Sequence, residues 1–254
     1  MPERTKYAHG TPSWTDLQTT DQAGAEKFYS TVLGWDYDKQ PMGDGEFYSM
    51  ATVKGKHVAA IGGAPPEGVP SHWNVYVTVT DVDKTAGQVA GAGGTVIAPP
   101  FDVMEAGRMA VVADPTGAMI CIWQPTGNIG AQLVNEPGAM SWEELMTPDI
   151  PKAATFYEKI FGWKAASVPD GSYTEWKLGD RSIGGAMNPP MDGIPTVWGV
   201  YFSVDDTDTA VELIKDNGGQ IFQGPMDIEP GRFAVCADPA GAMFNIIKMA
   251  SPGD

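Results

Sequence analysis

Residues 28–35 read FYSTVLGW, and residues 156–163 read FYEKIFGW, a near repeat 128 positions further along the chain. The flanking sequence is duplicated as well, because SWTDL at 13–17 returns as SWEEL at 141–145. Self-similarity at a fixed spacing is typical of duplicated structural units, so the chain is predicted to contain two copies of one unit.

A second pair of segments marks the far end of each unit. The stretch ADPTGAM at 113–119 returns as ADPAGAM at 237–243. The residues between the two units are rich in Pro, Gly, Asn and Gln, which is the composition of a linker. We therefore predict a first domain at residues 1–125, a linker at 126–138 and a second domain at 139–254.

A weaker repeat inside each half places an Asp 13 positions before a Gly. The four pairs are Asp21/Gly34, Asp81/Gly94, Asp149/Gly162 and Asp206/Gly219. An Asp can cap the first turn of a helix by accepting backbone N–H groups, and a Gly supplies the positive φ that ends it. Short β-patterned segments precede and follow each predicted helix. Each quarter therefore reads strand, helix and three strands, which predicts an α+β fold of four βαβββ modules.

Composition narrows the classes of partner. The formal net charge is −16, and a negative field of that size disfavours binding to nucleic acid or to anionic membranes. No run of eighteen apolar residues and no signal-peptide pattern is present, so we expect a cytoplasmic protein. The two cysteines, Cys121 and Cys236, each lie in an apolar strand-like segment and are expected to be reduced and buried.

The duplicated motifs resemble those of the vicinal oxygen chelate superfamily, the glyoxalase, bleomycin-resistance and extradiol-dioxygenase group. The resemblance rests on Phe28-Tyr29 with Gly34-Trp35, on the Asp114-Pro115-Thr116-Gly117 turn and on the second copies of both. It is closest to two-domain glyoxalase-like proteins whose halves begin with Ser-Trp-x-acidic. The resemblance implies two concave half-barrel sheets, or cups, each built from two modules. Neighbouring modules, or the first with the fourth, could form a cup.

The resemblance also implies where a metal would be held, normally by His and Glu side chains. The corresponding positions here are Trp14, Asn74 and Cys121 in the first half, and Trp142, Gly199 and Asn245 in the second. None of these residues reproduces the expected ligand set, so no cofactor is predicted. A relocated divalent ion held by Asp16, His57 and His72 stays open as an alternative.

Strand alternation places an acidic side chain beside each first-strand Trp on the predicted cup face. These residues, Asp16 and Glu144, are the candidate catalytic groups, although each could instead pair with Arg108 or Arg232. Aromatic, Met and polar residues on the strands are the candidate ligand-binding groups, with plain sheet core as the alternative. They are Trp14, Tyr48, Met50, Trp73, Asn74, Arg108, Trp142, Tyr173, Trp176, Trp198 and Arg232.

Two functions of different kinds follow from these residues. The first is a monomeric protein whose cups bind a small apolar or aromatic molecule without a metal, for sequestration, resistance or presentation. The second is a metal-free enzyme that acts as a lyase, acts as an isomerase or assists a hydroxylation. In this enzyme Asp16 or Glu144 would move a proton on a carbonyl or polyketide-like compound. Metal-dependent glyoxalase chemistry is less favoured, because it needs a ligand set that the aligned positions lack.

Overall fold

The computed structural model describes residues 3–43, 45–168, 171–191 and 193–250, which form two curved eight-stranded sheets. The first half contains β1 (Thr11–Gln18), α1 (Gln22–Leu33), β2 (Asp36–Gly43), β3 (Glu46–Val53), β4 (Lys56–Gly62), β5 (His72–Thr78), α2 (Val82–Val89), a 3₁₀ turn (Ala90–Ala92), β6 (Thr95–Val103), β7 (Gly107–Ala113) and β8 (Met119–Pro125). The second half contains β9 (Met140–Met146), α3 (Ile150–Phe161), β10 (Lys164–Ser167), β11 (Thr174–Leu178), β12 (Arg181–Met187), β13 (Val197–Ser203), α4 (Thr207–Asp216), β14 (Gln220–Ile228), β15 (Gly231–Ala237) and β16 (Met243–Met249). The predicted α+β fold is confirmed.

Each sheet joins the two modules of one half edge to edge. The strand order is β2-β3-β4-β1-β5-β8-β7-β6 in the first sheet and β10-β11-β12-β9-β13-β16-β15-β14 in the second. The modules meet where β1 runs antiparallel to β5, and where β9 runs antiparallel to β13. Neighbouring modules therefore form a cup, which answers the question of pairing that the sequence left open.

The helices carry a second kind of pairing, between the halves. Helix α1 packs against α4, and α2 packs against α3. One buried cluster accordingly combines residues of the first and fourth modules, among them Phe28 and Phe244, and the other combines residues such as Val112 and Phe156. Each core therefore contains residues of both halves. The domain boundaries at 125 and 139 stay a prediction, and they do not divide the chain into two separate cores.

The predicted Asp caps are confirmed at all four helices. Asp21 Oδ1, for example, accepts the Gly24 N–H at 2.9 Å. The predicted Gly stops are confirmed at Gly34 and Gly162, which have φ of 71° and 77°.

The prediction is wrong for Gly94 and Gly219, since the preceding Gly93 and Gly218 take the positive φ. Gly94 is required for another reason, because a Cβ there would lie 2.5 Å from the Phe156 ring. The constraint at this position is therefore close packing rather than backbone conformation.

The repeated motifs contact each other across the halves rather than within them. Tyr157 donates its hydroxyl to Asp114 Oδ2 at 2.9 Å, and Tyr29 donates to Asp238 Oδ2 at 3.3 Å. All four residues are buried. The FY motif of one half is thus hydrogen-bonded to the ADP turn of the other, which explains why both motifs occur twice.

Two glycines, Gly10 and Gly138, join the halves in the same reciprocal way, and we call them the glycine clasps. Trp163 Nε1 donates to the Gly10 carbonyl at 2.6 Å, and Trp35 Nε1 donates to the Gly138 carbonyl at 2.6 Å. Each glycine has a positive φ, 79° and 82°, and lies directly against the C-terminal end of a helix, α3 for Gly10 and α1 for Gly138. Neither position leaves room for a side chain.

The remaining expectations about the chain concern its cysteines and membranes. Cys121 and Cys236 are both buried and free, as expected. Among the residues that the structure describes, no helix combines the length and apolar character needed to cross a bilayer.

Candidate functional site

The concave face of the first sheet, which we call the first cup, encloses a cavity of about 870 Å³. Its inner wall is mostly aromatic and sulfur-containing. The aromatic and sulfur-containing wall residues on the strands include Trp14, Tyr48, Met50, Tyr76, Met109 and Trp123, and polar side chains such as Asp16, Lys56 and His57 also line the cavity. N-terminal residues 3–5, the hairpin around Met104 and linker residues 127–129 and 132 contribute the outer wall. A volume of this size accommodates a drug-sized ligand.

Asp16 lies in this wall and is hydrogen-bonded on both carboxylate oxygens. Oδ2 accepts the hydroxyls of Tyr48 and Tyr76, each at 2.9 Å, and Oδ1 accepts Asn74 Nδ2 at 2.9 Å. Trp14 Nε1 in turn donates to the Tyr48 hydroxyl oxygen at 3.0 Å. The carboxylate therefore fixes the orientation of the aromatic rings around it.

The cross-strand register explains this cluster. Asp16 lies opposite Asn74 on β5 and Ala60 on β4, so these positions share the concave face. Trp14 lies opposite Tyr76 in the same way. Only small or hydrogen-bonding side chains flank the acid, which leaves its oxygens within reach of the two tyrosines.

Burial and hydrogen bonding act on the pKa of Asp16 in opposite directions. Burial raises the pKa above its usual range, while the hydrogen bonds from Asn74, Tyr48 and Tyr76 lower it by favouring the ionised form. Burial is the larger influence. For the same reason the pKa values of Tyr48 and Tyr76 lie well above 10, so both phenols remain protonated donors.

The second sheet carries a related network on its concave face, the second cup. Trp142 Nε1 donates to the Tyr173 hydroxyl at 2.8 Å, and the Tyr201 hydroxyl donates to Glu144 Oε1 at 3.0 Å. Burial raises the pKa of Glu144, against the lowering influence of Tyr173 and Tyr201. Trp142, Glu144 and Tyr173 are only half-buried, so this cup is more open to solvent than the first.

Three of the predicted ligand-binding tryptophans do not reach a cup. Trp73 lies opposite Leu17, Trp198 lies opposite Leu145, and both point to the helix-covered side of their sheets. Trp73 Nε1 donates to Tyr29, and Trp198 Nε1 donates to Tyr157, both in the buried core.

Trp176 is fully buried in the same core, with its ring 5.7 Å from that of Tyr157. These three predictions are wrong because alternation along a strand places only every second residue on the concave face, and the sequence pattern did not give the phase of these strands.

The alternative in which each candidate acid pairs with an arginine is wrong. Arg108 is bound by Asp83 and Asp102, each at 2.8 Å, near the edge of the first sheet. Arg232 repeats the arrangement with Asp208 and Asp227. Neither guanidinium contacts Asp16 or Glu144, whose hydrogen bonds come from tyrosines and Asn74.

Six of the predicted ligand-binding residues do lie at a cup. Trp14, Tyr48, Met50 and Asn74 lie at the first cup, and Trp142 and Tyr173 lie at the second. Their roles in binding stay a prediction.

The site prediction omitted Tyr76 and Trp123, although Tyr76 follows Asn74 by two positions and so shares its face. The linker and N-terminal residues that form the outer wall of the cavity could not be predicted, because irregular segments have no periodic pattern of apolar and polar residues.

The metal positions implied by the resemblance do not fit a metal. Trp14 offers an indole N–H donor, the Asn74 amide is directed at Asp16, and burial raises the pKa of the Cys121 thiol so that it stays protonated. The described residues contain no group of three or more His, Cys, Asp or Glu side chains placed to hold an ion. The relocated set is not assembled either, since His57 lies near Asp38 and His72 Nδ1 lies 2.8 Å from the Pro70 carbonyl.

Comparison with known proteins agrees with this architecture. Residues 11–122 and 139–246 match the Glyoxalase/Bleomycin resistance protein/Dioxygenase superfamily, one match for each half. The chain belongs to this superfamily. The two matches correspond to the two eight-stranded sheets.

Relatives of similar length share the tandem organisation. CFP32 of Mycobacterium tuberculosis (strain CDC 1551 / Oshkosh), which carries the provisional name glyoxylase, is 47% identical over 98% of this chain and 99% of its own. The anthracycline biosynthesis protein DauV of Streptomyces sp. (strain C5) is 33% identical over 96% of this chain and 95% of its own.

Solved structures of the superfamily share the fold. The 2,3-dioxygenase LapB from Pseudomonas sp. KL28 superposes with a TM-score of 0.68 at 16% identity, covering 96% of this chain and 93% of LapB. The Mn(II)-bound glyoxalase from Novosphingobium aromaticivorans gives a TM-score of 0.67 at 14% identity, covering 100% and 87%. Identities this low indicate a common fold and carry nothing about chemistry.

Proposed function

We propose that the first cup binds a planar, largely apolar aromatic molecule, and that it does so without a bound metal. The observation that carries this proposal is the cavity of about 870 Å³, whose inner wall includes Trp14, Tyr48, Tyr76, Trp123, Met50 and Met109. Rigid rings stack on planar ligands at a small entropic cost, and Met adapts to irregular outlines.

The hydrogen-bond network supports binding as the role of this wall. Asp16 already accepts three hydrogen bonds, from Tyr48, Tyr76 and Asn74. These bonds hold the Tyr48 and Tyr76 rings in place before a ligand arrives, which reduces the ordering cost of binding. In this proposal the carboxylate stabilises the shape of the cup.

The names of two relatives support an aromatic ligand. DauV and DnrV, each 33% identical to this chain, are named anthracycline biosynthesis proteins, and anthracyclines contain fused planar rings. The glyoxylase name of CFP32 would instead favour a small dicarbonyl substrate. The size and aromatic wall of the first cup favour the larger, planar class.

Binding can be tested with 1,2-dihydroxyanthraquinone as the probe. Trp14 and Trp123 line the cavity, so we expect the probe to quench tryptophan fluorescence on titration. The variant Met109→Trp fills part of the cavity and is expected to weaken binding by about a hundredfold, because the added indole occupies the space of one probe ring.

The matched control is Phe233→Trp, which makes a similar change at the corresponding register position of the second sheet. It should leave first-cup affinity unchanged. Equal affinity of the parent protein and Met109→Trp would contradict the proposal, and so would stoichiometric Fe, Zn, Ni or Mn in the purified protein.

A second candidate function is metal-free proton transfer by Asp16. The observation in its favour is the raised pKa of this buried acid next to a ligand-sized cavity. A general base of this kind would remove a proton next to a carbonyl group, as in isomerase or lyase chemistry.

The second candidate predicts that turnover depends on one carboxylate. In a screen of aromatic carbonyl compounds, Asp16→Asn is expected to lower kcat by a factor of about 10² to 10⁴, the usual contribution of a general base. Glu144→Gln is the matched control in the second cup. Full turnover in Asp16→Asn, with folding confirmed by circular dichroism, would exclude Asp16 as the base.

A further inference from the structure

The two cups differ most at the strand position next to the acid. Asp16 lies opposite Asn74, whereas Glu144 lies opposite Gly199. Residues in register on neighbouring strands share a face, so Gly199 occupies the place in the second cup that Asn74 occupies in the first. The second half therefore lacks the amide that donates to the acid in the first half.

The missing amide leaves space beside Glu144. A Cβ added at Gly199 would make a tight contact with Asn245 Nδ2 at 3.3 Å and an ordinary one with the Glu144 carbonyl oxygen at 3.8 Å, so the Asn245 side chain borders this space. The other register partner of Glu144 is Gly185, which also has no side chain, although the Tyr173 hydroxyl covers that position. The open side of the acid is thus the Gly199 side, which we call the Gly199 niche.

The missing amide also leaves Glu144 with fewer donors than Asp16. Asp16 accepts from three groups on its two oxygens, whereas among the described residues Glu144 is hydrogen-bonded by two, the hydroxyls of Tyr201 and Tyr173. Tyr173 also accepts the Trp142 N–H, just as Tyr48 accepts the Trp14 N–H in the first cup. A half-buried carboxylate with acceptor capacity to spare is stabilised by any donor that enters the niche.

The surroundings of the Gly199 niche indicate the chemistry of that donor. The half-buried Trp142 ring and the Tyr201 and Phe233 rings, 6.4 Å apart, form an aromatic wall. Glu175, at the position that corresponds to Met50 in the first cup, carries a second carboxylate, which is ion-paired with Lys177 and therefore already neutralised. The remaining carboxylate, that of Glu144 beside the aromatic faces, favours an organic cation, through ion pairing and cation–π contact.

We infer that the second cup is a separate binding site for a primary ammonium group attached to an aromatic body, with the ammonium in the Gly199 niche donating to Glu144. The ligand supplies the hydrogen bond that Asn74 supplies inside the first cup. This inference is independent of the first cup, so a chain could bind two different small molecules at once.

The site can be tested with tyramine, which carries an ammonium on a phenol ring, and with 4-ethylphenol, which lacks the ammonium. By titration calorimetry we expect tyramine to bind at least about tenfold more tightly than 4-ethylphenol, since the charged hydrogen bond is the difference between them. Raising the salt concentration should weaken tyramine binding and leave 4-ethylphenol binding nearly unchanged.

The decisive variant is Gly199→Asn, which places the amide of the first cup into the niche without changing the net charge. We expect tyramine binding to fall by about tenfold or more. Glu144→Gln removes the charge and should give a similar loss, whereas Met109→Trp in the first cup should have no effect. Melting temperatures of the variants establish that each remains folded.

Two results would overturn the inference. One is tyramine binding to Gly199→Asn with the parent affinity, which would show that the acidic surface attracts the cation elsewhere. The other is equal affinity of the unmodified protein for tyramine and 4-ethylphenol, which requires no variant. If Met109→Trp loses anthraquinone binding and retains tyramine binding, the two probes bind at different sites, the first cup and the second.

Discussion

Gly138→Ala is expected to lower the free energy of unfolding by about 3 kcal/mol or more, because two separate costs act at one position. The residue has a φ of 82°, which L-amino acids with a Cβ rarely adopt. The new Cβ would also lie 2.5 Å from the Leu33 carbonyl oxygen and 2.9 Å from Val53 Cγ2. The backbone has little freedom to move away, since Gly138 N donates to Ser203 and its carbonyl accepts from Trp35.

The matched control is Gly34→Ala. Gly34 has a similar φ of 71°, but nothing lies within 4 Å of an added Cβ. Only the backbone cost of about 1–2 kcal/mol should therefore be observed. Urea unfolding of both variants measures the difference, and equal losses would show that the glycine clasp is not sterically required.

Glu143→Gln is expected to stabilise the protein, and the gain should grow with pH. Glu143 is 5% exposed on β9, and burial alone raises its pKa to about 8 from the ordinary value of 4.5. Between these two pH values the folded protein keeps a proton that the unfolded chain releases. Each rise in pH through this window therefore favours the unfolded state, and the full penalty is present above pH 8.

Glutamine has no proton to lose, so the variant escapes this penalty. We expect similar stability of the two proteins near pH 4.5 and an advantage for Glu143→Gln on the order of 5 kcal/mol above pH 8. Urea unfolding across pH 5–9 tests this expectation. Glu212→Gln, at an exposed site on α4, should change stability by less than about 1 kcal/mol at every pH. A pH-independent difference for Glu143→Gln would contradict the interpretation.

The duplicated motifs were sufficient to predict the fold. A cap Asp and the helical stripe after it are local signals, and local signals determined the positions of all four helices. The repeat also predicted four modules correctly. Which modules share a sheet could not be predicted, because the edge-to-edge pairing of β1 with β5 and the α1–α4 contact join residues far apart in sequence.

The candidate site was predicted less completely, for two physical reasons. Asp16 and Trp14 were placed on one face correctly because the first strand carries a clear alternation. Trp73 and Trp176 were not, since an aromatic ring suits either face of a sheet and its side depends on strand phase. The outer wall from residues 127–129 and 132 lies on irregular backbone, which has no repeating pattern to read.

The reciprocal contacts between the halves have a consequence for how this protein can change over time. Tyr29, Trp73 and Trp35 on the back of the first half have identical counterparts in Tyr157, Trp198 and Trp163. On the fronts, Asn74 and Gly199 differ, and so do Cys121 and Asn245. A mutation on the helix-covered side of one sheet must remain compatible with its contacts in both halves. A mutation on a concave face has to be compatible only with the ligand that binds there. A duplicated chain of this kind can diversify in specificity on either side without putting its own folding at risk.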